Sequence, residues 1–67
     1  MNEHRQRIGQ QIAKIRIAKG ITQEGLSELT GLDRANISKI ENGRYNIGID
    51  ILQKVCDALG ARIEVVL

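Results

Sequence analysis

Apolar residues recur at helical spacing through the first part of the chain. Ile8, Ile12 and Ile15 lie about one turn apart within residues 3–19, and polar residues separate them. Gly20 comes directly after this segment, and glycine just past the last turn is a common end of a helix. The pattern predicts a first amphipathic helix.

Two short helices are predicted next. Thr22 is a suitable N-cap for the second helix, and Leu26 and Leu29 form its apolar side. Gly31 ends this helix, since glycine readily adopts the backbone conformation that terminates helices.

The third helix is predicted between Asp33, which is expected to cap it, and the pair Asn42-Gly43, which ends it. Ile37 and Ile40 form its inward stripe. The residues between them are polar or small, and the outer face of this helix is poor in acids.

The fourth helix, predicted between Gly48 and Gly60, has two apolar faces. One face carries Ile49, Leu52, Cys56 and Leu59. The adjacent face carries Ile51, Val55 and Ala58. One small domain needs a single such face, so the second face either meets a partner or is sunk in the core.

The last seven residues, 61–67, alternate in a way that is typical of a β-strand. The sequence offers no second strand, and a lone strand leaves a row of unpaired backbone groups. The simplest partner is the same strand of a second copy, antiparallel across a two-fold axis. We therefore predict a homodimer; the alternative is an extension that lies on its own helices. The predicted interface residues are Ile51, Val55, Ile63, Val65 and Leu67.

Length and composition exclude several classes of protein. A chain of 67 residues is one domain, and one cysteine with one histidine supports neither a disulfide nor a metal site. No pairing of a nucleophile with a base is recognisable, so we expect no enzyme and no cofactor. The sequence shows no long apolar run and no signal peptide, which favours a cytoplasmic location.

The net charge of +2 is small, but the charges are unevenly distributed. Residues 1–20 contain five basic residues and one acid, Glu3, whereas residues 21–30 contain only the acids Glu24 and Glu28. A basic bias is compatible with a polyanionic partner, and it is equally compatible with a solvated helix face.

The second and third helices, joined by a tight turn at Gly31, form a helix-turn-helix, in which the second helix enters the DNA major groove. Residues 8–60 resemble the Cro/C1-type, or XRE-family, domain through "R..KG.TQE.L", "TGL....IS.IENG" and "L.K..DALG", in that order. The resemblance implies a mainly α, four-helix, lambda-repressor-like DNA-binding domain in residues 1–60. Residues 61–67, the predicted dimerisation strand, resemble the tail of HipB-type antitoxins.

The same resemblance implies roles for individual residues. The base-reading positions are Arg34, Ala35, Ser38 and Lys39. The positions that contact the DNA backbone are Gln23, Asn36, Asn42 and Arg44. Arg16 and Glu41 occupy positions that form an ion pair inside the domain.

These inferences predict a homodimeric regulator that binds double-stranded DNA and represses transcription from a pseudo-palindromic operator. Its half-sites lie roughly 34 Å apart, or one helical turn. A narrower version makes the protein the antitoxin of a toxin–antitoxin pair, with a cognate toxin as a further partner. The alternative is a protein-interaction module that uses this fold without DNA.

Overall fold

Residues 3–66, the part of the chain that the computed structural model describes, fold into four helices. They are α1 (Glu3–Ala18), α2 (Gln23–Thr30), α3 (Arg34–Glu41) and α4 (Ile49–Leu59). The mainly α, four-helix fold is therefore confirmed. No helix in this range has the length and apolar character needed to cross a membrane.

The ends of the helices lie where local chemistry predicts them. The Thr22 hydroxyl accepts a hydrogen bond from the Gly25 N–H at 2.9 Å and caps α2. Gly31 ends α2 with a φ of 76°, in the left-handed region that favours glycine. Asp33 occupies the N-cap position of α3, but its exposed side chain makes no capping hydrogen bond. Asp33 therefore occupies the predicted cap position, but the predicted capping hydrogen bond of its carboxylate is absent.

One core joins the four helices. Each helix contributes at least one side chain that is at most 4 % exposed, and burying such a side chain stabilises the fold by about 1.5–3 kcal/mol. The buried cluster consists of Ile12, Leu26, Ile37, Ile40, Val55 and Leu59. α3 packs against α1 and α2, and α4 packs against the same two helices from the other side of the core.

The close approach of α1 to the end of α3 occurs at Gly9. A Cβ atom on Gly9 would lie 2.2 Å from the carbonyl oxygen of Ile40 and 2.7 Å from that of Glu41. Only glycine allows the two helix backbones to come this close, so Gly9 sets the spacing between α1 and α3.

The C-terminal half of α4 is covered by the protein itself, whereas its first turn is more exposed. Val55, predicted in the dimer interface, is completely buried in the core, and that prediction is wrong. The reason is that α4 packs on both α1 and α2, so its second face is already occupied. Ile49, on the other predicted apolar face, is 66 % exposed at the first turn of α4. Ile51 is half-buried.

The C-terminal segment forms no strand in residues 61–66. A strand exists through hydrogen bonds to a neighbouring strand, and no other part of residues 3–66 forms one. Instead, the segment runs beside α1 and α4, where its first four residues line a cleft of about 200 Å³. Val65 and Val66 are 95 % and 79 % exposed. Leu67, also predicted in the interface, lies outside the described residues.

Candidate nucleic-acid interface

The turn between α2 and α3 is held by side-chain hydroxyls. The Thr30 hydroxyl donates to the Leu26 carbonyl at 2.8 Å and accepts from the Leu32 N–H at 3.2 Å. The Ser27 hydroxyl donates to the Leu32 carbonyl. Because Thr30 is buried and its hydrogen bonds are satisfied, the turn fixes the angle between α2 and α3.

An open cleft lies between the beginning of α2 and the first two turns of α3. Its volume is about 280 Å³, and its lining residues are Gln23, Arg34, Ala35 and Ser38. Three of these are predicted base-reading residues, and Gln23 is a predicted contact to the DNA backbone. The structure thus brings together an amide, a guanidinium, a hydroxyl and a methyl group, which can contact phosphates and base edges.

The remaining predicted residues follow along α3 and its C-terminal end. Lys39 and Arg44 are exposed, and Asn36 is half-buried. The Asn42 amide donates to the Ser38 carbonyl at 2.9 Å and closes the last turn of α3. Asn42 therefore has a structural contact that the sequence did not indicate, and its exposed side chain remains beside Ser38.

The acid of α3 points inward, into an ion pair with α1. The Arg16 Nε donates to Glu41 Oε2 at 2.6 Å, and Arg16 Nη2 donates to Oε1 at 3.1 Å. The side chains are 12 % and 6 % exposed, respectively. The hydrogen bonding of Arg16 to the Glu41 carboxylate raises the pKa of Arg16, burial opposes this rise, and the negative charge of Glu41 adds to it. The outer face of α3 is consequently free of this negative charge.

Two further contacts extend this ion pair to α2. Arg16 Nη1 donates to the Ile21 carbonyl at 2.8 Å, in the loop before α2. Gln23 Nε2 donates to Glu41 Oε1 at 3.1 Å. The sequence analysis missed the contact between Gln23 and Glu41, because no sequence pattern marks a hydrogen bond between side chains 18 positions apart.

The described residues contain no group of three or more His, Cys, Asp and Glu side chains that could hold a metal ion. Cys56 is buried, and its pKa is raised by desolvation first and by the Asp57 charge second. A thiol with a raised pKa is a weak nucleophile at neutral pH.

Comparison with known proteins points to regulators of transcription. A family model described as "Helix-turn-helix" matches residues 12–66. The immunity repressor protein of Bacillus phage phi105 is 36 % identical over 59 residues, 88 % of this chain. The chain spans only 41 % of that repressor.

Small control proteins match over most of their own length. The control protein C.BamHI of Bacillus amyloliquefaciens is 37 % identical over 62 residues, which are 91 % of this chain and 76 % of C.BamHI. The crystal structure of the restriction-modification controller protein C.AhdI from Aeromonas hydrophila superposes with a TM-score of 0.87 and 33 % identity. That match covers 91 % of this chain and 92 % of C.AhdI.

Proposed function

This chain belongs to the helix-turn-helix family of transcriptional regulators, and from this premise we propose that it is a sequence-specific DNA-binding repressor. The observation that carries the proposal is the open cleft formed by Gln23, Arg34, Ala35 and Ser38. It presents hydrogen-bond donors and one methyl group on a rigid helix pair, while the acid of α3 is buried and paired.

In the proposed complex, α3 enters the major groove. The diameter of an α-helix with its side chains is about 10–12 Å, which is close to the width of the groove. Arg34 makes the bidentate contact to the O6 and N7 acceptors of guanine, and Lys39 reaches a second guanine. Ala35 contacts a thymine methyl group, and Ser38 bonds to either kind of base edge.

The proposed contacts to the DNA backbone lie near the two ends of α3. The Gln23 amide keeps one N–H for a phosphate oxygen after its bond to Glu41. Arg44, with Asn42 and Asn36, holds the backbone beside α3. Such contacts set the register of α3 on the duplex and weaken as salt concentration rises.

We further propose that the protein binds its operator as a homodimer. One short recognition helix reads only a few base pairs, whereas two half-sites supply the specificity of an operator. The exposed Val65, with the half-buried Ile63 close by in the chain, supports a contact between copies through the C-terminal segment. Ile51 on α4 is half-buried and stays a proposed interface residue.

We expect Val65→Glu to shift the protein from dimer to monomer in sedimentation equilibrium, whereas Val65→Ile should not. An unchanged dimer would remove Val65 from the interface.

The narrower proposal is a controller of restriction-modification genes. This chain covers most of C.BamHI and C.AhdI, so the resemblance extends beyond the shared helix-turn-helix. The antitoxin version draws on the likeness of residues 61–67 to a C-terminal strand that pairs between two copies, and this pairing stays a prediction. An adjacent gene for a DNA methyltransferase would support the controller, and one for a kinase-like toxin would favour the antitoxin.

The experiment that tests DNA binding is selection from a random duplex pool, followed by binding at two salt concentrations. We expect enrichment of an inverted repeat with half-sites about one helical turn apart. Weak, salt-sensitive binding without an enriched sequence would show that the protein attracts DNA only through its positive charge. That outcome would contradict sequence-specific recognition.

Arg34→Ala is expected to weaken binding to the selected operator by about 1–3 kcal/mol per half-site and to relax specificity at one base position. Fluorescence anisotropy with operators substituted at each position measures both effects. Lys54→Ala, which removes an equal charge from an exposed position of α4, is the matched control and should leave specificity intact. If Arg34→Ala behaves like Lys54→Ala, α3 does not read the bases as proposed, and a protein-interaction role gains support.

A further inference from the structure

The carboxylate of Glu41 joins the structural ion pair to the proposed DNA-contacting surface. It accepts two hydrogen bonds from Arg16 on α1 and one from Gln23, the first residue of α2. We propose that Glu41 is a positioning residue for DNA binding, which holds the Gln23 side chain in place to bind a phosphate. This inference rests on the proposed function of the α2–α3 cleft.

The position of Gln23 makes its conformation important. Gln23 begins α2 and lines the cleft opposite Arg34 and Ser38. A glutamine side chain at the surface has many rotamers, and fixing one on binding reduces affinity. The hydrogen bond of 3.1 Å to Glu41 Oε1 selects one arrangement before DNA arrives and leaves the second amide N–H available.

Arg16 allows an acid to perform this role beside DNA. Glu41 is 8 % exposed, and the guanidinium of Arg16 lies against its carboxylate. The negative charge is therefore compensated and kept away from the phosphates. Arg16 also binds the Ile21 carbonyl, so the loop that leads into Gln23 is fixed by the same group.

The decisive variant is Glu41→Gln, which preserves size but leaves a single carbonyl acceptor in place of two carboxylate oxygens. We expect operator binding to weaken by about twofold to tenfold per half-site, the factor for one side chain that must be ordered on binding. In ethylation interference, one phosphate per half-site should no longer interfere with binding when it is ethylated. It should be the same phosphate whose interference is lost in Gln23→Ala. The double variant should bind no more weakly than Gln23→Ala.

Ile12→Val is the control for stability, because it removes core volume without touching this hydrogen-bond network. Each variant is compared at a temperature at which circular dichroism shows it to be folded. Ile12→Val should retain every interfering phosphate. Retention of the Gln23 phosphate in Glu41→Gln, or additive losses in the double variant, would overturn the inference while leaving DNA binding intact.

A measurement on the unaltered protein covers the case in which Glu41→Gln does not fold. The side-chain amide of Gln23 in the free protein should give an NMR order parameter near that of rigid backbone, about 0.85. A value below about 0.6 would show that Glu41 does not hold the side chain. If the unaltered protein enriches no DNA sequence, the proposed function itself fails, and this inference fails with it.

Discussion

Gly9→Ala is expected to remove about half of the stability of the domain. The added Cβ would lie 2.2 Å from a backbone carbonyl oxygen at the end of α3, so the helices must separate by about 1 Å to restore normal contact. Alanine gains roughly 1 kcal/mol in helix propensity. Overpacking against rigid atoms costs 1–3 kcal/mol or occasionally more, and the upper part of that range is expected here because the obstacle is backbone.

A domain of this size has only about 3–5 kcal/mol of stability to lose. Urea denaturation followed by circular dichroism should therefore show a large fall in the midpoint for Gly9→Ala. Gln10→Ala, at the next and exposed position of α1, is the matched control and should leave the midpoint nearly unchanged. Equal midpoints for the two variants would show that α1 and α3 are not in close backbone contact at Gly9.

Arg16→Met is expected to lower the free energy of unfolding by about 3–5 kcal/mol. It leaves the Glu41 carboxylate buried without its cationic partner, and uncompensated burial of a charge costs about this amount. Arg16→Lys should recover only part of the loss, because an ammonium cannot reproduce the planar fork that binds Glu41 and the Ile21 carbonyl together.

The exposed pair of Arg62 and Glu64 provides the control for this prediction. Arg62 Nε lies 3.6 Å from Glu64 Oε2, and the side chains of Arg62 and Glu64 are 82 % and 62 % exposed, respectively. Arg62→Met should change stability by less than about 1 kcal/mol. The double change Arg16→Met with Glu41→Leu should restore much of the lost stability, because no unpaired charge is then buried. A double variant as unstable as Arg16→Met would contradict the role of the Glu41 charge.

Features set by neighbouring residues were predictable from the sequence. α2 begins after Thr22 and ends at Gly31, and α4 ends at Gly60, as the sequence indicated. These boundaries are predictable because capping and left-handed backbone depend on a few adjacent positions. The predicted base-reading residues Arg34, Ala35 and Ser38 share one cleft because helical spacing alone places them on one side of α3.

Features set by distant residues were not predictable in the same way. Alternation at the C-terminus indicates a strand only if another strand is available; residues 3–66 of one copy contain none, so pairing with a second copy stays a prediction. The sequence pattern of α4 shows two apolar faces, but it does not show whether another helix of the same chain or a partner protein covers Val55. The close contact at Gly9 and the bond between Gln23 and Glu41 require knowledge of how α1, α2 and α3 pack.

The division of α3 into two faces has a consequence for how such a protein changes its target over generations. Ile37 and Ile40 are buried in the core on one side of α3, whereas Arg34, Ala35 and Lys39 are exposed on the other. Replacing the exposed residues alters which bases are preferred without removing a buried side chain. A duplicated gene can therefore acquire a new operator through a few surface substitutions, each tolerated by the fold as it occurs.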